Sequence, residues 1–138
     1  MKKNRYFVGA VIYFAFLSVL SHIPGSALHA MEWEFWDKAA HFYAYLPLGF
    51  LLALGLTYRG VGDGRWGILL LAAGMVFLLG IVDEFHQSFV PGRDAAAPDV
   101  IADVIGGFVG AVVGLIVGLA VLRKNRLAEE KETTRSRL

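Results

Sequence analysis

Four long apolar blocks alternate with short polar links along this 138-residue chain. Tyr6 to Leu20 and Trp66 to Val82 carry no charge. Ala39 to Tyr58 is interrupted only by His41, and Val100 to Leu122 only by Asp103. A bilayer span needs roughly 17–25 apolar residues. Lipid offers no partner for an unpaired peptide group, so such blocks must be helices. The pattern therefore predicts an all-α integral membrane bundle of four transmembrane helices, spanning about 6–22, 39–58, 66–85 and 100–122. The first reaches span length only by taking in Ser21 and His22. The third must borrow from the polar run that begins at Asp83. Links are short, so neighbouring helices are predicted to be antiparallel. Arg59–Arg65 reads as a glycine-rich turn, and Pro91, Gly92 and Pro98 punctuate the last link. Pro47 is predicted to bend the second span near Tyr43. One transmembrane domain covers 1–126. Residues 127–138 turn polar and read as a frayed cytoplasmic tail.

Charge distribution then orients the bundle. With the N-terminus inside, eleven of the thirteen basic residues fall on the cytoplasmic side, leaving only Lys38 and Arg93 outside. Eight of the twelve acidic residues and all four histidines sort to the outer side. The positive-inside rule thus predicts an N-in, C-in topology. Trp33, Phe35 and Trp36 fit an aromatic belt at the outer face. Lys2, Lys3, Arg5 and Ala30 also suit a signal peptide, but Leu28 spoils the small-x-small cleavage pattern and favours a retained span.

Composition narrows the function classes. The chain is 57% hydrophobic with a mean hydropathy of +0.56 and a net charge of +1. Without a basic, aromatic-interleaved patch, no nucleic-acid partner is predicted. There is no cysteine, which excludes disulfides and thiolate metal sites.

Polar residues inside the apolar boundaries carry the candidate chemistry. Asp37, His41 and Tyr45 are spaced by four and share a helical face at the entry of span two. At the exit of span three, Asp83, His86 and Gln87 share one face, while Glu84 points elsewhere. A carboxylate beside an imidazole suits acid–base work or metal ligation, which makes His86, Glu84 and His41 catalytic candidates. A solvated helix end or an interhelical hydrogen bond is the plainer alternative for each. The Pro91-Gly92 turn fixes Arg93, whose planar fork suits phosphate or carboxylate, or else pairs with a nearby acid such as Asp94, Asp83 or Glu84. Lys38, Arg93, Gln87 and Tyr45 are the substrate-binding candidates. Asp99 and Asp103 again share a face, and with Asp83 they are candidate ligands for a divalent cation such as Mg²⁺. Asp99 alone would also serve as a helix cap. Asp103, about one turn inside the apolar run, is a functional candidate by position. Gly106, Gly110, Gly114 and Gly118 continue its face at a spacing of four and read as a helix-packing stripe. The carboxylates are therefore predicted to look into the bundle.

In this order, the residues resemble the VanZ-like family of membrane proteins. The matching motifs are Asp37-Lys38-x-x-His41-Phe42-x-x-Tyr45-x-x-Leu48-Gly49, then Asp83-Glu84-x-His86-Gln87-x-Phe89-x-Pro91-Gly92-Arg93, then Asp99 followed by a glycine-rich span. The resemblance covers roughly residues 36–118. The family pattern has Asn four residues after the last Asp, where this chain has Asp103. An ionised Asp only accepts hydrogen bonds, whereas Asn also donates. The resemblance implies a multi-pass protein of the bacterial cytoplasmic (inner) membrane. The family takes its name from a member associated with resistance to teicoplanin, a glycopeptide that acts on cell-wall precursors.

Three functions fit this reading. One is a cell-envelope protein that binds or acts on a phosphate-bearing or wall-linked amphiphile, with membrane lipids, a lipid-linked precursor or a glycopeptide as partners. Another is a non-catalytic accessory protein that meets a second copy or another membrane protein through the glycine stripe. The last is a small proton-coupled transporter. Enzymatic and non-enzymatic roles both fit the pattern.

Overall fold

The computed structural model describes residues 4–24, 34–93 and 95–136, with side chains from residue 37 onward in the second stretch. The aromatic belt expected at Trp33, Phe35 and Trp36, the cleavage position at Ala30, and Asp94 lie outside what is described. Four helices follow one another: α1 (Arg5–Leu20), α2 (Glu34–Arg59), α3 (Gly64–Gln87) and α4 (Ala97–Arg135). No strand occurs among the described residues.

By length and apolar composition, α2, α3 and α4 can each cross a bilayer, and α1 is a shorter apolar helix of 16 residues. At ~1.5 Å per residue α1 extends about 24 Å. Ser21 and His22 continue it only as a turn, with the Ser21 amide donating to the Leu17 carbonyl. The four helices fit the sequence prediction in number and order. Their exposed faces are apolar, including Val11 and Ile12 of α1, Leu70 and Leu78 of α3, and Ile116 of α4. In water such faces would be a liability; in lipid they are the expected outer surface.

α2 is the central helix. It buries Tyr45, Leu48, Leu52, Ala53 and Leu56 against Ala10 and Leu17 of α1, Ile68 and Val76 of α3, and Ala111 and Leu115 of α4. Its interior Pro47 has no N–H to give the Tyr43 carbonyl. The neighbouring Ala44 carbonyl accepts a hydrogen bond from Tyr13 Oη of α1 at 2.9 Å.

The closest packing joins α2 to α4. The α4 glycines at 106, 110 and 114 sit over the backbone carbonyls of Phe42, Leu46 and Phe50, matching a stripe spaced by four with carbonyls spaced by four. A Cβ at Gly114 would lie 2.5 Å from the Phe50 oxygen, and one at Gly106 or Gly110 would lie closer still to its carbonyl. Gly118 ends the stripe against Thr57. The approach is reciprocal, since a Cβ on Gly49 would strike the Gly107 backbone. Without a hydrophobic drive between helices in lipid, such close backbone contact is a main source of attraction. The stripe is therefore filled by α2 within the chain. It is not a free surface, which removes the docking face on which the accessory-protein reading relied.

Two turns require glycine. Gly60 (φ 67°) and Gly62 (φ 110°) reverse the chain between α2 and α3, and Gly92 (φ 74°) sets the start of the link to α4. The polar segment after residue 126 differs from its expected frayed state: α4 runs unbroken to Arg135. Ala, Glu, Lys and Arg are strong helix formers, and Arg126 stands four residues before Glu130. At 39 residues α4 is roughly 58 Å long (~1.5 Å per residue), so its exposed end projects past the other helices.

Candidate functional site

The ends of α1 and α3 and the starts of α2 and α4 meet at one end of the bundle, where nearly all of its buried polar side chains collect. Ser21, His41, Asp83, Glu84, Gln87, Asp99 and Asp103 are all buried there, while Thr57 is the one buried polar side chain described elsewhere.

His41 is the hub. Its Nδ1 lies 2.9 Å from Asp103 Oδ1, and its Nε2 lies 3.9 Å from Glu84 Oε1. In the tautomer that carries its hydrogen on Nδ1, His41 donates to an ionised Asp103 carboxylate and leaves Nε2 bare on the side of Glu84. Three spans thus contribute one side chain each. Asp103 is completely buried and faces Gly80 of α3, where a Cβ would lie 3.1 Å from Oδ2. Glycine at 80 leaves the room that this carboxylate occupies.

Glu84 is fixed from its other side. Its Oε2 accepts the Ala96 amide at 2.9 Å, at the N-cap of α4. The cap residue itself offers no side-chain acceptor, and a carboxylate from α3 satisfies its own amide. Asp99 stands three residues further on, behind Pro98 in the first turn, and is not the cap. Glu84 Oε1, Asp99 Oδ1 and Asp103 Oδ2 are buried and have no hydrogen-bond partner.

Asp83 faces a different side. It accepts from Ser21 Oγ at 2.8 Å through Oδ1 and from Gln87 Nε2 at 3.1 Å through Oδ2. This tie fastens the end of α1 to α3. The spacing of Asp83 and Gln87 on one face foretold their contact, but nothing in the sequence singled out Ser21.

A cavity of about 150 Å³ opens beside His41 and Asp83, and Glu84, Asp99 and Asp103 stand behind its lining. Asp37, His41 and Tyr45 of α2 line it together, as their spacing by four predicts, with Asp83, Gln87 and Arg93 opposite. Tyr45 is buried and its Oη points at the Leu79 carbonyl, 3.4 Å away. Arg93 stands at the mouth. Its Nε lies 3.4 Å from the Ile23 carbonyl, and a guanidinium nitrogen lies 3.7 Å from Asp37 Oδ1. Among the described residues the acid beside it is Asp37, whereas the sequence suggested Asp83 or Glu84; the third candidate, Asp94, lies outside them. Lys38 is half-buried and lies within electrostatic reach of Asp99.

His86 is not brought to this cavity. It turns toward α1, where its ring meets His22 edge-on with centroids 4.3 Å apart. Both line a separate groove of about 370 Å³ between α1 and α3. Of the two imidazoles named as catalytic candidates, His41 is therefore the one that lies beside Glu84. The expected cation set of Asp83, Asp99 and Asp103 is likewise regrouped. The clusters with ligating atoms within 4.8 Å of one another are His41, Glu84 and Asp103, and Asp37, His41 and Asp99.

Beyond Tyr45 the core becomes leucine, alanine, valine and isoleucine, so the polar cluster ends about two turns into the bundle. Carboxylates held at such depth are costly alone. Together they form a site able to hold a cation, orient an imidazole and receive an anionic group at its Arg93 mouth.

No curated protein and no solved structure matches this chain. The family model described as VanZ/LLP1 does match, over residues 3–118. That span takes in all four apolar segments, the two α2 and α3 motifs that converge on the cavity, and the α4 glycine stripe that holds them together; the chain belongs to the VanZ/LLP1 family of membrane proteins.

Proposed function

We propose that this protein acts on the phosphate-bearing head of an amphiphile, of the cell-wall-precursor or phospholipid type, at the outer face of the bacterial cytoplasmic membrane. The observation that carries the reading is the buried His41–Asp103–Glu84 group, assembled from three helices beside a small cavity with Arg93 at its mouth. In this reading Arg93 and Lys38 receive the phosphate, Gln87 and Tyr45 shape the pocket, and the His41 group activates water toward phosphorus. Water adds to phosphorus, the P–O bond to the leaving group breaks (anhydride in a lipid pyrophosphate, ester in a phospholipid), and the leaving oxygen departs with the proton that water gives up. A divalent cation held by the carboxylates is part of the same reading. His86 has no role in it, because it faces the neighbouring groove. Glycopeptide resistance of the teicoplanin type would follow where the amphiphile is a wall precursor. The N-in, C-in topology belongs to the proposal, since it turns the cavity outward.

The test is turnover in proteoliposomes containing an undecaprenyl-linked pyrophosphate or phosphatidylglycerol, read as release of phosphate or head group. The expected result is turnover by the wild type, a loss of at least about 10²-fold in H41A, the lower end of the usual contribution of acid–base groups, and a raised KM in R93A. Absence of both turnover and saturable binding with every phosphate amphiphile, or full activity in H41A, would overturn the reading.

A further inference from the structure

The sequence points to an oxygen-liganded cation such as Mg²⁺, but the geometry points elsewhere. We infer that His41 Nε2 and Glu84 Oε1 bind one divalent transition-metal ion of the Zn²⁺ or Mn²⁺ class, with Asp103 as the group that orients the histidine. The inference deepens the reading above, lies at the His41 wall of the same pocket, and is open to failure on its own.

Spacing comes first. His41 Nε2 and Glu84 Oε1 are 3.9 Å apart, too far for a hydrogen bond. Two ligands to a transition metal at ~2.0–2.2 Å each stand about 3.4 Å apart at the tetrahedral angle and up to about 4.2 Å apart when opposed, so the pair brackets an ion with about half an ångström to close. His41, Glu84 and Asp103 form one group whose ligating atoms lie within 4.8 Å of one another, and Asp99 falls in a separate group with His41 and Asp37.

Satisfaction comes second. The Glu84 side chain is 7% exposed, and Oε1 has no hydrogen-bond partner while Oε2 is already held by the Ala96 amide. An oxygen buried, fixed in place and aimed at an imidazole nitrogen is an acceptor without a donor, which native interiors avoid. A cation held between it and His41 supplies that partner.

Ligand chemistry comes third. The Nδ1–H of His41 donates to Asp103, which leaves Nε2 to bind metal. Carboxylate–histidine–metal relays of this kind fix the ring and its tautomer. Imidazole suits Zn²⁺ and its neighbours, whereas Mg²⁺ takes oxygen ligands and keeps its waters. The Glu84 and Asp103 carboxylates on either side of a neutral histidine would also have their charge offset by a dipositive ion, in a setting where uncompensated charge is expensive. Such an ion would supply what the reading above needs: a Lewis acid for phosphoryl oxygen and a lowered pKa for bound water.

The experiment uses the full chain in nanodiscs, stripped with chelator and titrated with Mn²⁺, Zn²⁺ and Mg²⁺ alone. Stoichiometry is read by elemental analysis, and the Mn²⁺ form by electron spin-echo spectroscopy. The expected result is one Mn²⁺ or Zn²⁺ per chain, Mg²⁺ bound more weakly, and a ¹⁴N coupling from coordinated imidazole. H41A and E84Q should each weaken binding by at least about 100-fold, a ligand costing no less than the outer-shell partners of a metal site. E130Q should not, because Glu130 lies on the projecting end of α4. Sub-stoichiometric metal, a bound Mn²⁺ without ¹⁴N coupling, or a loss in E130Q equal to that in E84Q would overturn the assignment. The coupling is measured on the wild type, so a variant that fails to fold does not decide the matter. Metal binding without lipid turnover would sink only the preceding proposal.

Discussion

Gly110→Val is expected to abolish recoverable folded protein, while Gly74→Val is tolerated. Both glycines lie in apolar helices, but only Gly110 belongs to the stripe spaced by four. At Gly110 a Cβ would overlap the Leu46 carbonyl oxygen and stand 3.0 Å from the Phe50 amide nitrogen. Both neighbours are backbone of α2, so no side chain can swing aside. The helices must separate, and every contact along their seam weakens together. Overpacking a core usually costs about 1–3 kcal/mol because side chains adapt. A backbone-to-backbone clash lacks that outlet and should reach or exceed the top of that range. At Gly74 nothing lies within 4 Å of the added atom, which would face lipid. Detergent-solubilised yield and the thermal midpoint of monodisperse protein read the difference. Equal behaviour of the two variants would mean that α2 and α4 do not approach as described. Because the seam begins where Gly106 meets Phe42, next to His41, any surviving Gly110→Val protein should also lose the His41–Asp103 contact.

The second large effect concerns Asp103. Asp103→Ala should lower turnover by at least about 100-fold and destabilise the fold, whereas Asp103→Asn should stay within about 10-fold of wild type; both figures follow the range seen for orienting partners of a reactive histidine. The alanine leaves the His41 Nδ1–H without an acceptor at a fully buried position. Removing one partner of a buried pair costs about 3–5 kcal/mol when the survivor is charged, and less when it is neutral. Asparagine keeps an oxygen to accept from Nδ1–H. It also matches the residue that the VanZ-like pattern carries at this position, so the hydrogen bond rather than the charge would be the shared requirement. Turnover and thermal unfolding measured on both variants separate the two. An asparagine variant as impaired as the alanine would show that the negative charge itself is needed.

The sequence made some of this legible and hid the rest for a physical reason. Four apolar blocks gave four helices because lipid permits little else. Spacing by four placed Asp37, His41 and Tyr45 along one cavity and aligned the α4 glycines, because such spacing fixes angles within a helix. It does not fix how one helix is rotated against another. Choosing between Asp83 and Glu84 as the partner of His41 needed the rotation of α3, and helices that are apolar all round give no moment to read it from. The same rotation sends His86 to His22 and out of the site. Ser21, in the turn that follows a plain apolar helix, becomes visible only once α1 is packed on α3. Gly80 reads as ordinary until Asp103 is found opposite. The helical extension after residue 126 was hidden by its polarity, which reads as tail unless helix propensity is weighed against charge.

The central claim is that side chains from separate spans converge on His41 inside the bundle. Magic-angle-spinning NMR tests it most directly, on protein in lipid with ¹⁵N-histidine and ¹³C-aspartate, using H41Q and D103N spectra to assign the signals. The account predicts a dipolar coupling between His41 Nδ1 and the Asp103 carboxyl carbon, consistent with the 2.9 Å contact, and a hydrogen on Nδ1. A His41 signal with no coupling to any aspartate carboxyl, or a ring protonated only at Nε2, would contradict it.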